Sequence, residues 1–256
     1  MLRLSKLAMV CWGTAALLAF SGVSFAGDAP VTANILNGKK IFENGKPDAG
    51  VTACNTCHGD KAMGNDDMGT PRLANIGYVY VIKQLTNFAD DKRTPAGLGA
   101  VMNGFAKSLT EQERRDISAY VNTLPKSSER SDLAALKTAG TPVGESYKGK
   151  ILVRYGVENK VSACQSCHGF DGRGADPVYP KIGQQKFVYL TNQLKNWRDG
   201  SRANDPAGQM RAIAKNLTDD DINNAAGYLS QAEDSTPGDS LEVDNETVMK
   251  NVKLIK

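Results

Sequence analysis

The chain has 256 residues, of which 41% are hydrophobic and 23% charged, and its formal net charge is +3 at pH 7. Charges of both signs are mixed along the chain, which excludes the basic face of a typical nucleic-acid-binding protein and the tails that blocks of like charge form. The length suits one large domain or two small ones.

Residues 1–26 are predicted to be a cleaved signal peptide that is not part of the fold. A short basic start precedes an apolar run over residues 7–20, and the segment ends at Ala26 with small residues at the two positions that a signal peptidase reads. The alternative is an uncleaved N-terminal membrane anchor, since residues 7–26 are just long enough to span a bilayer. The small-residue ending favours cleavage before Gly27, and therefore export.

Two five-residue motifs dominate the mature chain. Its four cysteines form two Cys-x-x-Cys pairs, which are Cys54 with Cys57 and Cys164 with Cys167. The only two histidines of the chain, His58 and His168, directly follow these pairs. The flanking residues match as well, because residues 53–59 align with residues 163–169 at an offset of 110. The chain therefore contains an internal repeat.

Each repeat is predicted to be helical, so that the fold class is all-α. Apolar residues at helical spacing on both sides of each motif predict helices over residues 37–45, 78–88, 147–156 and 186–197. A Thr-x-x-Glu capping box at Thr110 and a Thr-x-x-Asp variant at Thr218 predict the start of a last helix in each repeat. Pro125 is expected to end the first of these two helices.

The repeat also predicts the domain boundaries. Residues 34–125 form the first predicted domain and residues 147–231 the second. Residues 126–146 between them are rich in Ser, Lys, Glu and Gly, which is typical of a linker, and a short helix is predicted over residues 132–137. Residues 232–256 have no counterpart in the first repeat and are predicted to form a C-terminal tail.

The Cys-x-x-Cys-His motif is the attachment signature of c-type haem. In that chemistry the two thiols add to the vinyl groups of the porphyrin, and the histidine becomes an axial ligand of the iron. A redox-active disulfide, half of a zinc site and a structural disulfide also use paired cysteines. None of these needs a histidine directly after the second cysteine in both copies, so the sequence predicts two covalently bound haem c groups.

With both histidines used, a methionine sulfur is the strongest remaining candidate for the second axial ligand of each iron. Met102 and Met210 occupy matching positions, 45 and 43 residues after the second cysteine of their motifs. Core packing is the alternative role of any methionine. Met63 and Met68 have no counterparts in the second repeat and are expected at the surface or at the haem edge.

Two prolines are candidates to support the histidines. Pro71 and Pro180 follow the histidines of their motifs by 13 and 12 residues. A proline carbonyl at that place can accept the ring N–H of the axial histidine and orient it, while the alternative is a simple loop turn. Arg72 and Lys181 come next and are interpreted either as partners of the haem propionates or as solvated surface charges.

Each repeat resembles a class I cytochrome c domain, and the tandem arrangement resembles the diheme cytochrome c4 family. The resemblance covers residues 34–231 and is strongest in the second repeat, over its Cys-x-x-Cys-His motif and residues 179–185, 189–200 and 210–229. It implies two helical domains, each wrapped around a covalent haem c, with the haem propionates near their shared interface. It also implies that the matching methionines and proline carbonyls act as described above, that the protein is periplasmic, and that electrons pass towards terminal oxidases.

A His/Met iron has both axial positions filled by the protein, which favours outer-sphere electron transfer over substrate binding at the metal. The sequence therefore predicts an electron carrier and not an enzyme. Its expected partners are redox proteins, with a quinol-oxidising complex or another protein as donor, a terminal oxidase as acceptor, and peripheral membrane association as a compatible feature. The alternatives are a haem enzyme with one labile methionine ligand and a haem subunit of a dehydrogenase or oxidase complex.

Overall fold

The computed structural model describes residues 32–125 and 129–233. The predicted signal peptide, and the predicted tail beyond residue 233, lie outside the described residues. In the first repeat the helices are α1 (Ile35–Asn44), α2 (Asn55–His58), α3 (Tyr78–Ala89), α4 (Val101–Lys107) and α5 (Glu111–Thr123). The later helices are α6 (Leu133–Thr138), α7 (Ser146–Tyr155), α8 (Gln165–His168), α9 (Phe187–Asp199), α10 (Gln209–Ala214) and α11 (Asp219–Gln231). The described part of the chain contains isolated β-bridges but no β-strand, which confirms the all-α prediction.

Each repeat packs its first helix against its last, α1 against α5 and α7 against α11. A glycine lies at each crossing. A Cβ added to Gly38 would lie 2.0 Å from the carbonyl oxygen of Asp116, and one added to Gly149 would lie 1.9 Å from that of Asn224. Any side chain would force the helices apart, so glycine permits their close approach in both repeats.

The last helix of each repeat begins at the capping box that the sequence predicts. The Thr110 hydroxyl accepts the Glu113 N–H at 3.2 Å, and the Glu113 carboxylate accepts the Thr110 N–H at 2.8 Å. Thr218 and Asp221 make the same reciprocal pair at 3.1 and 2.9 Å. These bonds satisfy N–H groups that have no partner inside the helix.

The hydrophobic core is divided into two clusters, one in each repeat. In the first cluster Phe42 is fully buried, and its ring lies 5.4 Å from that of Tyr120. Met63 also packs in this cluster and is 3% exposed, so the expectation of a surface position for it is wrong. Met68 is exposed, as expected. Fully buried Phe187 and Ile222 belong to the second cluster.

The described part of the predicted linker is a packed segment. The Ser131 hydroxyl accepts the N–H of Phe187 at 2.9 Å, and its carbonyl accepts a bond from Gln231 at 2.8 Å. Helix α6 follows, and its Leu133 and Leu136 pack against the second hydrophobic cluster. None of the helices in the described ranges combines the length and hydropathy that crossing a membrane requires.

Candidate functional site

Each Cys-x-x-Cys-His motif forms a single helical turn. Helices α2 and α8 start directly after the first cysteine, and the histidine N–H donates to the carbonyl of Cys54 at 3.0 Å and of Cys164 at 2.9 Å. The four described cysteines, Cys54, Cys57, Cys164 and Cys167, are free thiols. Neither pair therefore forms the structural disulfide of one alternative interpretation.

The remaining alternatives also lack support in the geometry. Burial raises the pKa of Cys54 and of Cys164 to about 11, which keeps both thiols protonated and disfavours a reactive thiolate. Among the described residues, no three His, Cys, Asp or Glu side chains converge as a metal-binding group. A zinc site built on either cysteine pair therefore finds no further ligands in this part of the chain.

Both histidines are held by a proline carbonyl. His58 and His168 are buried, and their Nδ1 atoms lie 2.9 Å from the carbonyl oxygens of Pro71 and Pro180. Burial lowers the pKa of both histidines, so the rings are neutral. A carbonyl oxygen can only accept, so Nδ1 carries the proton and Nε2 keeps its lone pair. An iron ligand that binds through Nε2 needs this tautomer.

A glycine lies against each of these supporting peptide bonds. A Cβ added to Gly64 would lie 2.5 Å from the carbonyl carbon of Pro71, and one added to Gly174 would lie 2.8 Å from the nitrogen of Lys181. Both glycines also have a positive φ, 73° and 89°. Backbone geometry and lack of space thus require glycine here, and this packing holds the proline loop at the histidine in each repeat.

The two repeats meet through a polar network that follows the repeat symmetry. It contains three side chains from each repeat, namely Tyr80, Gln84 and Arg93, and Tyr189, Gln193 and Arg202. Arg93 reaches across to the Tyr189 hydroxyl at 3.0 Å and to the Gln193 side-chain oxygen at 2.9 Å. Arg202 makes the reciprocal bonds to the tyrosine and the glutamine of the first repeat, both at 3.2 Å. The network therefore holds the two repeats in one relative orientation.

The two arginines of this network are buried positive charges. Arg93 stacks on Phe88 at 4.7 Å and Arg202 on Trp197 at 4.1 Å, measured to the ring centroids. Their hydrogen-bond partners among the described residues are all neutral. Burial together with these two charges lowers the pKa of neighbouring Lys83. Because unpaired buried charges are costly, the carboxylates of a bound cofactor would fit this region.

Arg72 lies at the same interface and is fully buried, so the interpretation as a surface charge is wrong. Its side chain donates to the Gln184 oxygen at 2.7 Å and to the carbonyl of Ala74 at 3.1 Å. Its main-chain N–H donates to the Gln185 side-chain oxygen at 2.7 Å. No role for Gln184 and Gln185 was predicted from the sequence. The sequence does show that the two repeats differ here, because the first repeat has Asn75 and Ile76 at the matching positions.

The candidate distal ligands occupy equivalent places. Met102 is the second residue of α4 and Met210 the second residue of α10, and both are half-buried. Met102 also packs against the first hydrophobic cluster. Equivalent placement agrees with the repeat, while iron ligation by these two sulfurs stays a prediction.

These residues fit haem c. Each repeat presents two free thiols on one helical turn and a neutral histidine with Nε2 available, and buried arginines at the interface can pair with carboxylates. Together with the helical repeats, they define a c-type cytochrome that carries two covalently bound haem c groups, one in each repeat.

Comparisons with known proteins agree with this class. The cytochrome c family model matches residues 35–125, and the model of subunit III of cbb3-type cytochrome c oxidase matches residues 153–229. The chain is 33% identical over 198 residues to the thiosulfate dehydrogenase electron acceptor of Stutzerimonas stutzeri, covering 77% of this chain and 87% of the relative. It is also 33% identical over 197 residues to cytochrome c4 of Thiocapsa roseopersicina, covering 72% of this chain and 92% of the relative.

Two solved structures share the fold. Reduced recombinant cytochrome c4 from Pseudomonas stutzeri has a TM-score of 0.64 and 27% identity, with 79% of this chain and 100% of that chain covered. The thiosulfate dehydrogenase (TsdBA) from Marichromatium purpuratum has a TM-score of 0.70 and 29% identity. The match covers 79% of this chain but only 41% of that longer chain. The protein belongs to the diheme cytochrome c4-like family and is an electron carrier.

Proposed function

We propose that this cytochrome is a periplasmic shuttle that accepts electrons from a thiosulfate dehydrogenase and delivers them to a downstream acceptor such as a terminal oxidase. The choice of donor is supported by relatives from Stutzerimonas stutzeri and Thiomonas intermedia that are named thiosulfate dehydrogenase electron acceptors, each 33% identical to this chain. The observation that carries the shuttle role is the arginine network that joins the two repeats. It keeps two equivalent redox sites in a constant relation, as electron relay requires.

Within each site the protein residues have separate tasks. His58 and His168 are the proposed proximal ligands, and Met102 and Met210 the proposed distal ligands. When bound, the haem supplies one-electron chemistry. The cysteines would fix the position of the cofactor through thioether bonds, and the proline carbonyls hold each histidine in the tautomer that leaves Nε2 available. With a histidine and a methionine side chain both bound to each iron, the sites would favour electron transfer without substrate binding, so we assign the protein a carrier role and not a catalytic one.

Carbon monoxide binding to the reduced holoprotein tests the closed-site part of this proposal. We expect pyridine haemochrome analysis to give two haems c per chain, and we expect the visible spectrum of the reduced protein to be unchanged by carbon monoxide. A spectral shift at either haem would show an open or labile sixth position. That result would contradict the carrier assignment and favour the haem-enzyme alternative.

The donor is tested by rapid mixing with thiosulfate dehydrogenase from Stutzerimonas stutzeri. We expect the oxidised cytochrome to be reduced when enzyme and thiosulfate are both present and to stay oxidised when either is omitted. Dithionite reduction of the same sample shows that the haems are competent. If dithionite reduces the cytochrome but the enzyme with thiosulfate does not, the proposed donor is wrong, and a quinol-oxidising complex is the next donor to test.

A further inference from the structure

A single peptide bond connects the histidine of the first repeat to a side chain of the second repeat. The carbonyl of this bond belongs to Pro71 and accepts the Nδ1–H of His58 at 2.9 Å. Its N–H belongs to Arg72 and donates to the side-chain oxygen of Gln185 at 2.7 Å. The hydrogen bond to Gln185 is therefore separated from the proposed iron ligand His58 by a single amide group.

Gln185 is held firmly in the position that makes this contact. The residue is buried, with 5% of its surface exposed. Its Nε2 donates back to the carbonyl of Arg72 at 2.9 Å, and its Oε1 also accepts the N–H of Lys186 at 2.9 Å. The amide thus pairs with both the N–H and the carbonyl of Arg72, and it cannot rotate without breaking three hydrogen bonds.

The second repeat makes the reciprocal contact in a different way. Its supporting peptide has the carbonyl of Pro180 and the N–H of Lys181, and that N–H donates to the main-chain oxygen of Ile76 at 3.2 Å. Ile76 and Gln185 are equivalent positions, since each follows a residue with positive φ. The peptide bond that supports His58 therefore donates to a side-chain amide at 2.7 Å. The peptide bond that supports His168 donates to a backbone carbonyl at 3.2 Å.

Amide groups transmit polarisation between their two ends. A hydrogen bond donated by the N–H increases the negative charge on the carbonyl oxygen, and linked hydrogen bonds strengthen one another in this way. A stronger acceptor at Nδ1–H makes the imidazole a more electron-donating ligand. A more donating axial ligand favours the ferric state and lowers the reduction potential.

We propose that Gln185 is a positioning residue of the first redox site, which lowers the reduction potential of the haem in the first repeat through the Arg72 N–H and the Pro71 carbonyl. The inference rests on the proposed ligation by His58. The interface would thus adjust the reduction potential of one haem, in addition to holding the two repeats in one orientation. Because the second repeat has the weaker backbone contact, the effect distinguishes the two haems.

Spectroelectrochemical titration of Gln185→Met holoprotein tests the proposal, with proton NMR to follow each repeat separately. Methionine keeps the length of the side chain and removes both amide contacts. We expect the potential of the first-repeat haem to rise while that of the second-repeat haem stays unchanged. In the ferrous protein we expect the Nδ1–H resonance of His58 to move upfield, which reports a weaker hydrogen bond, and that of His168 to stay in place.

Gln184→Met is the matched control. Gln184 is also 5% exposed and crosses the interface, but it accepts from the Arg72 guanidinium and not from the peptide N–H. We expect this variant to leave both the first-repeat potential and the His58 resonance unchanged. Equal shifts in the two variants, equal shifts at the two haems, or no shift in Gln185→Met would overturn the proposal.

A second variant covers the case in which Gln185→Met does not assemble with two haems. Gln185→Glu keeps an oxygen acceptor for the Arg72 N–H and adds negative charge to it, so we expect the first-repeat potential to fall. An unchanged or raised potential at that haem would overturn the proposal. Ligation is read independently from the NMR signals of the ligand methionine methyl groups, so a failure of the proposed His/Met sites is distinguishable from a failure of the tuning role.

Discussion

Arg93 of the first repeat donates to the side-chain oxygen of Gln193 in the second repeat at 2.9 Å, and the same oxygen accepts from Arg202 at 2.7 Å. One glutamine thus serves both buried guanidinium groups. The pairing is possible because the two repeats present the same three residue types to each other across the interface. The stability of the interface consequently depends on side chains that both repeats share.

Tyr189→Phe is expected to destabilise the holoprotein by about 2 kcal/mol, because a hydrogen bond to a charged donor is lost and Arg93 is left undersatisfied in a buried place. Guanidinium unfolding followed by far-UV circular dichroism measures the change. Tyr155→Phe is the matched control, since Tyr155 is 75% exposed, and we expect no measurable change there. Equal stabilities of the two variants would contradict a structural role for the network.

Gly38→Ala is expected to destabilise the first repeat by about 3 kcal/mol, because the new methyl group would overlap the Asp116 carbonyl and separate α1 from α5. Gly104→Ala serves as the control in the same repeat. Gly104 lies within α4, and a Cβ there meets nothing within 4 Å. Alanine should stabilise that helix by about 0.5 to 1 kcal/mol. We expect the midpoint of thermal unfolding to fall in the Gly38→Ala holoprotein and to rise in the Gly104→Ala holoprotein. Equal decreases in both variants would show that Gly38 has no special role where α1 crosses α5.

The pH dependence of stability should include a contribution from Glu113. Burial alone would raise its pKa, but hydrogen bonds with Lys46 and Thr110 outweigh this effect and hold the pKa below its ordinary value. A carboxyl group with a lowered folded-state pKa stabilises the fold above its unfolded pKa of about 4.3, and this contribution disappears as the pH falls through the folded value.

Glu113→Gln isolates this contribution, because the amide keeps the shape of the side chain without its charge. The Lys46 ammonium lies 2.8 Å from the Glu113 carboxylate. We expect the wild-type protein to be more stable than the variant by about 1 kcal/mol at neutral pH and the difference to vanish in acid. Urea unfolding of both proteins at several pH values measures it. A difference that does not change with pH would show that the charge of Glu113 contributes nothing.

Met102→Ala and Met210→Ala are each expected to create one haem that binds carbon monoxide in the reduced state, because removal of the thioether opens the sixth coordination position. Met68→Ala is the control, since Met68 is an exposed methionine of the first repeat. Visible spectra of the three reduced variants, recorded before and after carbon monoxide addition, measure this binding. Carbon monoxide binding by the control alone, or by none of the variants, would mean that the distal ligands have been assigned wrongly.

The features of this protein that depend on local chemistry could be predicted from its amino-acid sequence. The two Cys-x-x-Cys-His motifs predict the haem attachment turns, because the reacting groups are neighbours in the chain. Thr110 and Thr218 mark the starts of the last helices, because a capping box involves residues only three positions apart. Pro71 and Pro180 were identifiable since the repeat places them at nearly the same distance from each histidine, and both carbonyls lie 2.9 Å from the ring nitrogen.

The contacts between the two repeats could not be predicted in this way and became visible in the folded chain. Arg93 and Gln193 are 100 residues apart in the chain, and Arg72 and Gln185 are 113 apart. Neither helical periodicity nor a motif contains information on such pairs, because both describe neighbours in sequence. An arginine beside a proline has no local signature of burial, yet Arg72 is fully buried and hydrogen-bonded to Gln184 and Gln185 of the second repeat. The link from Gln185 to His58 exists for the same reason, since folding brings one side chain of the second repeat onto one peptide bond of the first.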